Sequence, residues 1–141
     1  MKLSAEAAQL AFAGSEQSKG RLYLDFANSR LLEAREVPLD RVDRALRDMD
    51  GDIVAGAKAL TTAAVAGDRS ALDTLRDFVS AQQARLTAFT AAVPGSSAAA
   101  ARSFGVLRDV GARADGIAVA LRGGCPFATA DGLGPKPATG C

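Results

Sequence analysis

Apolar residues return every three or four positions along most of this chain, the spacing of helices that each bury one stripe. The clearest run is Leu39, Val42, Leu46, Met49, Ile53, Gly56, Leu60 and Ala63. It predicts a helix from Pro38 to Ala66, about eight turns long by the 3.6-residue repeat. Ahead of it, Leu3, Ala7 and Leu10 predict a shorter helix over residues 2–13, broken at Gly14-Ser15. Ser15 suits the N-cap of a second helix, and Glu16 adds a favourable first-turn charge. In that second helix Leu24, Ala27, Leu31 and Ala34 make a heptad-like seam, flanked by Tyr23 and Phe26 and widened by Leu22 and Leu32. A one-glycine connection is too short for a free linker, so the first two helices should form a hairpin. Gly20, inside the pattern, marks an early turn or a close helix contact, at a cost of about 1 kcal/mol against Ala.

Pro38 fits the first turn of the third helix, with Val37 before it pushed away from helical geometry. Gly67-Asp68 ends that helix, and Asp68 or Ser70 is expected to cap the fourth. The fourth carries Leu72, Leu75, Val79, Leu86 and Phe89, with Gln82 as a polar intruder that fixes register. After Val93-Pro94-Gly95-Ser96-Ser97, a fifth helix over about 98–122 aligns Phe104, Leu107, Val110, Ala114, Ile117 and Leu121. From Gly124 to Cys141 the period disappears into Gly, Pro and Thr, a loop or tail that either wanders or lies on the bundle. The expectation is an all-α antiparallel bundle of four to five helices over residues 1–123, with an irregular Gly/Pro-rich tail over 124–141. The stretch Ser15–Glu36, holding the only Tyr, reads as the organising element.

The length of 141 residues fits one domain. Aromatics are only 5% of it and Trp is absent, so Ala must let the helices pack closely. Lys plus Arg number 17 against 16 Asp plus Glu, a balance that argues against a nucleic-acid or anionic-membrane surface. Without His, the commonest general base and metal ligand is missing. Ser4, Ser18, Ser29, Thr61 and Thr62 have no base at a persuasive spacing, so the chain is expected to be non-enzymatic, with no cofactor and no metal. No apolar stretch reaches about 18 residues and no signal peptide is visible. The abrupt start, already in helical register, reads as a fragment with an added Met.

Asp48, Asp50 and Asp52 in RDMDGD invite a calcium-loop reading. Such a loop needs Gly sixth and Glu twelfth from Asp48, and those places hold Ile53 and Ala59. A solvated acidic face is the expectation. Tyr23, Arg30 and Glu33 form a candidate interaction face, set against a half-buried Tyr23 and i,i+4 pairs such as Arg21 with Asp25. A small-ligand cavity near Gly56, Gly111 and Gln82, where small or polar residues interrupt the seams, is an alternative, as is a homodimerisation module.

The run from Lys2 to Glu36 resembles the actinobacterial family catalogued as domain of unknown function 5667. The matching features are Leu10-Ala11-Phe12-Ala13, the turn Ser15-Glu16, then Tyr23-Leu24-Asp25-Phe26-Ala27 with Arg30-Leu31 and Glu33-Ala34. Asp48 to Val65 is similar as well, so the resemblance spans about the first two-thirds of the chain. Family members typically carry an upstream transmembrane segment and a Leu-Tyr-Pro-type entry, neither of which is in this chain. The resemblance implies an extracytoplasmic interaction or sensory domain of a membrane-anchored protein, in some cases the outer part of an anti-sigma factor or an envelope-stress regulator. Its partner would be a protein or a second copy, not nucleic acid, with membrane contact only through a segment outside this chain. Cys125 and Cys141 are open to reading as a disulfide, a metal pair or free thiols; two cysteines without His make a poor zinc site. In the oxidising compartment that the resemblance implies, they read as a disulfide closing the tail.

Overall fold

Five helices form where the periodicity places them. The structure is a computed structural model that describes the backbone of residues 2–141 and the side chains of residues 5–141. Its elements are α1 (Lys2–Phe12), α2 (Glu16–Ala34), α3 (Leu39–Val65), α4 (Ser70–Ala92) and α5 (Ser97–Gly123), then β1 (Thr129–Asp131) and β2 (Gly134–Lys136). Ser15 caps α2 as expected, its hydroxyl accepting from the Ser18 amide at 3.1 Å. Pro38 sits at the N-cap of α3, one step outside the helix. The expected side-chain cap of α4 is not made: Arg69 holds that position, and the Ser70 hydroxyl donates to the Asp68 carboxylate at 2.6 Å instead.

Gly67 closes α3 in a left-handed conformation, φ 122°. The Asp68 amide then reaches the Ala63 carbonyl and the Gly67 amide the Ala64 carbonyl, so two terminal acceptors are satisfied. Gly124, φ 69°, ends α5 in the same way and turns the chain into the tail.

The central element is α3, not α2 as the sequence suggested. It packs against α2, α4, α5 and β2. Val42, Leu46, Met49, Ile53 and Leu60 of α3 are buried with Leu24, Leu31, Leu75, Leu86, Phe89, Leu107, Val110 and Ile117 in one core. The largest interface lies between α2 and α3, antiparallel and unusually close. A Cβ added to Gly20 would lie 2.6 Å from Leu60 Cγ and 3.3 Å from the Gly56 carbonyl. One added to Gly56 would lie 2.7 Å from Leu24 Cδ2 and 3.2 Å from the Gly20 carbonyl. Gly20 is therefore a close-contact glycine, the second of its two expected roles.

At the start of the chain the structure departs from the expectation. The stripe expected to bury α1 is largely unburied: Ala7 is exposed and Leu10 only half-buried. Leu3 lies outside the described side chains. The reason is geometric, because among the described elements α1 finds substantial contact only with α2. The tail takes the second of its two expected courses and lies on the bundle, with a short hairpin inside the otherwise irregular stretch. β1 and β2 pair antiparallel with Thr129 opposite Lys136, and the hairpin lies on the bundle. The buried Thr61 hydroxyl of α3 donates to the Leu133 carbonyl at 2.9 Å. Gly134, φ 96°, presses against Thr61 and Lys58 where no side chain would fit. Arg113 of α5 donates to both Asp131 carboxylate oxygens, at 2.8 and 2.6 Å, and to the Gly134 and Pro135 carbonyls. Cys125 and Cys141 are paired at disulfide distance, Cα to Cα 6.0 Å, around this hairpin.

Gly20→Ala tests the close crossing. Overpacking against Leu60 costs about 1–3 kcal/mol, more than the ~1 kcal/mol that Ala gains by helix propensity. Urea denaturation should show a net loss of stability; a stabilised variant would mean that α2 and α3 have room between them.

Candidate functional site

The α2–α3 register that sets Gly20 beside Leu60 and Leu24 beside Gly56 also brings Arg30 beside Asp52. Arg30 is 7% exposed, unusual for an arginine in a small bundle. Three carboxylates from three helices surround its guanidinium. Nη2 donates to both oxygens of Glu6 on α1, at 2.8 and 3.1 Å. Nη1 donates to Glu33 one turn along α2 at 3.4 Å, and Nε lies 3.7 Å from the Asp52 carboxylate on α3. The bidentate contact to Glu6 is the strongest of these by geometry. Burial pushes the Asp52 carboxyl up to about 6; Arg30 pulls it down, while Glu6 and Asp48 add to the rise.

Asp50 is two residues from Asp52, about 200° around the helix, and so faces the opposite flank of α3, toward α5. There Arg102 Nε lies 3.6 Å from its carboxylate. Burial raises the Asp50 carboxyl above its ordinary range, against the opposing pull of Ser103 and Arg102. Arg102 also donates to Asp43 at 2.8 Å, and Asp43 accepts from Arg47 at 2.7 Å. Those two hydrogen bonds, Arg47 first, hold the Asp43 carboxyl low. The expected solvated acidic face is thus overturned for two of its three members: Asp48 is exposed, Asp50 is buried and Asp52 is half-buried. The helix runs unbroken through the segment, which rules out a calcium loop there. Among the described residues no group of three or more His, Cys, Asp or Glu side chains is placed to hold a metal.

Tyr23, Arg30 and Glu33 do not form one exposed face. Arg30 and Glu33 join in the buried cluster. Tyr23 is half-buried against Phe26, ring centroids 6.2 Å apart and edge-on, beside a shallow groove with Lys58 and Thr62. Arg21 and Asp25 do not pair with each other either; among the described residues neither makes an ion pair. The suggested ligand cavity is filled. Leu24 and the Gly20 carbonyl occupy the space beside Gly56, Val79 packs against Gly111, and the fully buried Gln82 donates to Met49 Sδ at 3.4 Å.

The surface that sequence reasoning missed lies beside the Arg30 cluster. Between α1 and α2 runs an open groove of about 660 Å³ lined by Ala8, Phe12, Ala13, Leu22 and Ser18, with Arg21 and Asp25 among its polar residues. Phe12 is 89% exposed, the most exposed large apolar side chain among the described residues. A signal was present in the sequence, since Phe12 and Leu22 both lie off the seams that fill the core. No described helix is long and apolar enough to cross a membrane, so this surface is not a spanning segment. No family model, curated protein or solved structure matches the chain.

The raised Asp52 carboxyl has a pH signature. The folded state holds its proton to about pH 6 and the unfolded state releases it near 3.8. Folding stability therefore falls as pH rises from about 4 to about 6 and is level above that window. Asp52→Asn should remove this slope and stabilise the protein at pH 7.5 by about 1–2 kcal/mol after solvent screening, with no gain near pH 4. Urea melts at both pH values measure it; equal effects at both would mean that Asp52 titrates normally.

Proposed function

We propose that this chain is a non-enzymatic interaction domain on the extracytoplasmic side of a membrane-anchored protein, binding through the face formed by α1 and α2. The observation that carries this reading is the placement of α1. It is built mostly of Leu, Ala and Phe, yet its described apolar side chains are largely left outside the core. A contiguous apolar surface of this kind, rimmed by polar groups, marks contact with another macromolecule more often than solvent exposure for its own sake. The attachment of α1 fits the same reading. Glu6 ties it to Arg30 by a charged clamp, which fixes its position on the bundle without hiding Phe12.

The paired Cys125 and Cys141 support the extracytoplasmic address, because such bonds persist in oxidising compartments. Membership of the family that residues 2–36 resemble would make the domain the outer part of a membrane-bound regulator such as an anti-sigma factor.

In-cell photocrosslinking of the full-length protein tests the binding face. A benzophenone amino acid at position 12 should give a discrete protein adduct, and one at the exposed Arg108 of α5 should give none. No adduct from position 12 would overturn the reading. Alkaline phosphatase fused to the C-terminus should be active if the domain lies outside the cytoplasm, and inactive if that address is wrong.

A further inference from the structure

We infer that the occupant of the α1–α2 groove is the same groove of a second copy of this chain, paired across a two-fold axis. The inference rests on the interaction reading above and names the partner. It is carried by the way charge and apolar surface are distributed around the groove.

The lining is apolar and small: Ala8, Ala13, Gly14 and Ser18 leave room for close approach, and Phe12 and Leu22 supply the bulk. Arg21 and Asp25, opposite in sign, also line the groove and sit one helical turn apart on α2. Neither makes an ion pair among the described residues. A two-fold axis crossing α2 between them runs the two α2 helices antiparallel and sets each Arg21 opposite the Asp25 of the other copy. Two ion pairs then form from one symmetry operation, around two Phe12 rings that leave water together. A rim of a single sign would repel itself under that operation and would call for a different protein. A rim with no charge would not select a register. The pattern here is complementary to itself, which is the requirement for an isologous interface. A lipid surface is the poorer fit, because an interfacial apolar patch is normally ringed by Lys and Arg without a matching Asp.

Sedimentation velocity on the chain from ~1 μM to ~1 mM, the span of weak to moderate association, tests the inference. The expected result is a concentration-dependent monomer–dimer equilibrium. Phe12→Glu should leave a monomer at every concentration while circular dichroism shows an unchanged helical content, since Phe12 is 89% exposed. Arg21→Asp sets like charges opposite each other twice and should weaken the dimer by about tenfold or more. Arg21→Asp with Asp25→Arg restores opposite charges across the axis and should recover most of that loss. A wild type that stays monomeric at every concentration overturns the self-pairing; the position-12 crosslinking experiment then decides separately whether another protein uses the groove. A dimer indifferent to Phe12→Glu, or one that the double charge reversal fails to rescue, also overturns this interface.

Discussion

The contact on which the rest of the structure depends is the backbone approach of α2 and α3 at Gly20 and Gly56. With hydrogen where a methyl would be, each glycine receives a leucine from the facing helix, Leu60 at one and Leu24 at the other. The two helices thereby gain dense packing at a point where Ala-rich sequences have little bulk to interdigitate. The lock also sets their relative register, because only one alignment places both glycines against both leucines. Everything along the pair follows from that alignment, including the approach of Arg30 to Asp52, about one turn along α3 from Gly56 and about three along α2 from Gly20.

The central helix of this small bundle carries one buried carboxylate, Asp50, and one half-buried, Asp52. Ion pairs taken out of water often contribute little net stability, since desolvation offsets the attraction. Their effect here is on arrangement. Asp52 meets Arg30 on one flank and Asp50 meets Arg102 on the other, so each flank of α3 accepts only a neighbour that brings a cation to that height. Apolar contacts tolerate sliding by one turn much better than a buried carboxylate tolerates losing its partner. The acidic pair therefore reads as a pair of register marks for α2 and α5.

Both ends of the chain are attached by a related device. Arg30 reaches Glu6 to hold α1, and Arg113 reaches Asp131 and two backbone carbonyls to hold the tail hairpin. At Asp131 the guanidinium contact holds the carboxyl down to about 2, so the tail clamp stays charged throughout the physiological range. The outcomes differ in what is left uncovered. The tail is sealed onto α3 at Thr61 and Gly134 and closed on itself by the cysteine pair, whereas α1 is held by charge and keeps most of its described apolar side chains outward. That contrast is the basis of the contact role proposed for α1.

Most of the architecture was legible in the order of residues. The threes and fours of Leu39 to Ala63, the break at Gly14-Ser15 and the glycines after α3 and α5 are local signals, and local sterics and capping settle them within a few residues. The close contact at Gly20 was legible for the same reason, as a glycine out of place in a helix. Which way a charge faces when several helices surround it is not a local property. Asp50 and Asp52 read as solvated because α3 was taken to have one buried stripe. With neighbours on several flanks its buried surface is far wider, and residues beside the stripe are drawn in. Arg30 changed from a surface candidate to a buried hub for that reason, and Phe12 became the exposed residue because no helix packs over α1. The sequence alone determined the helices and their ends; the tertiary structure decided which of their faces meet water, because burial depends on neighbours that are distant along the chain.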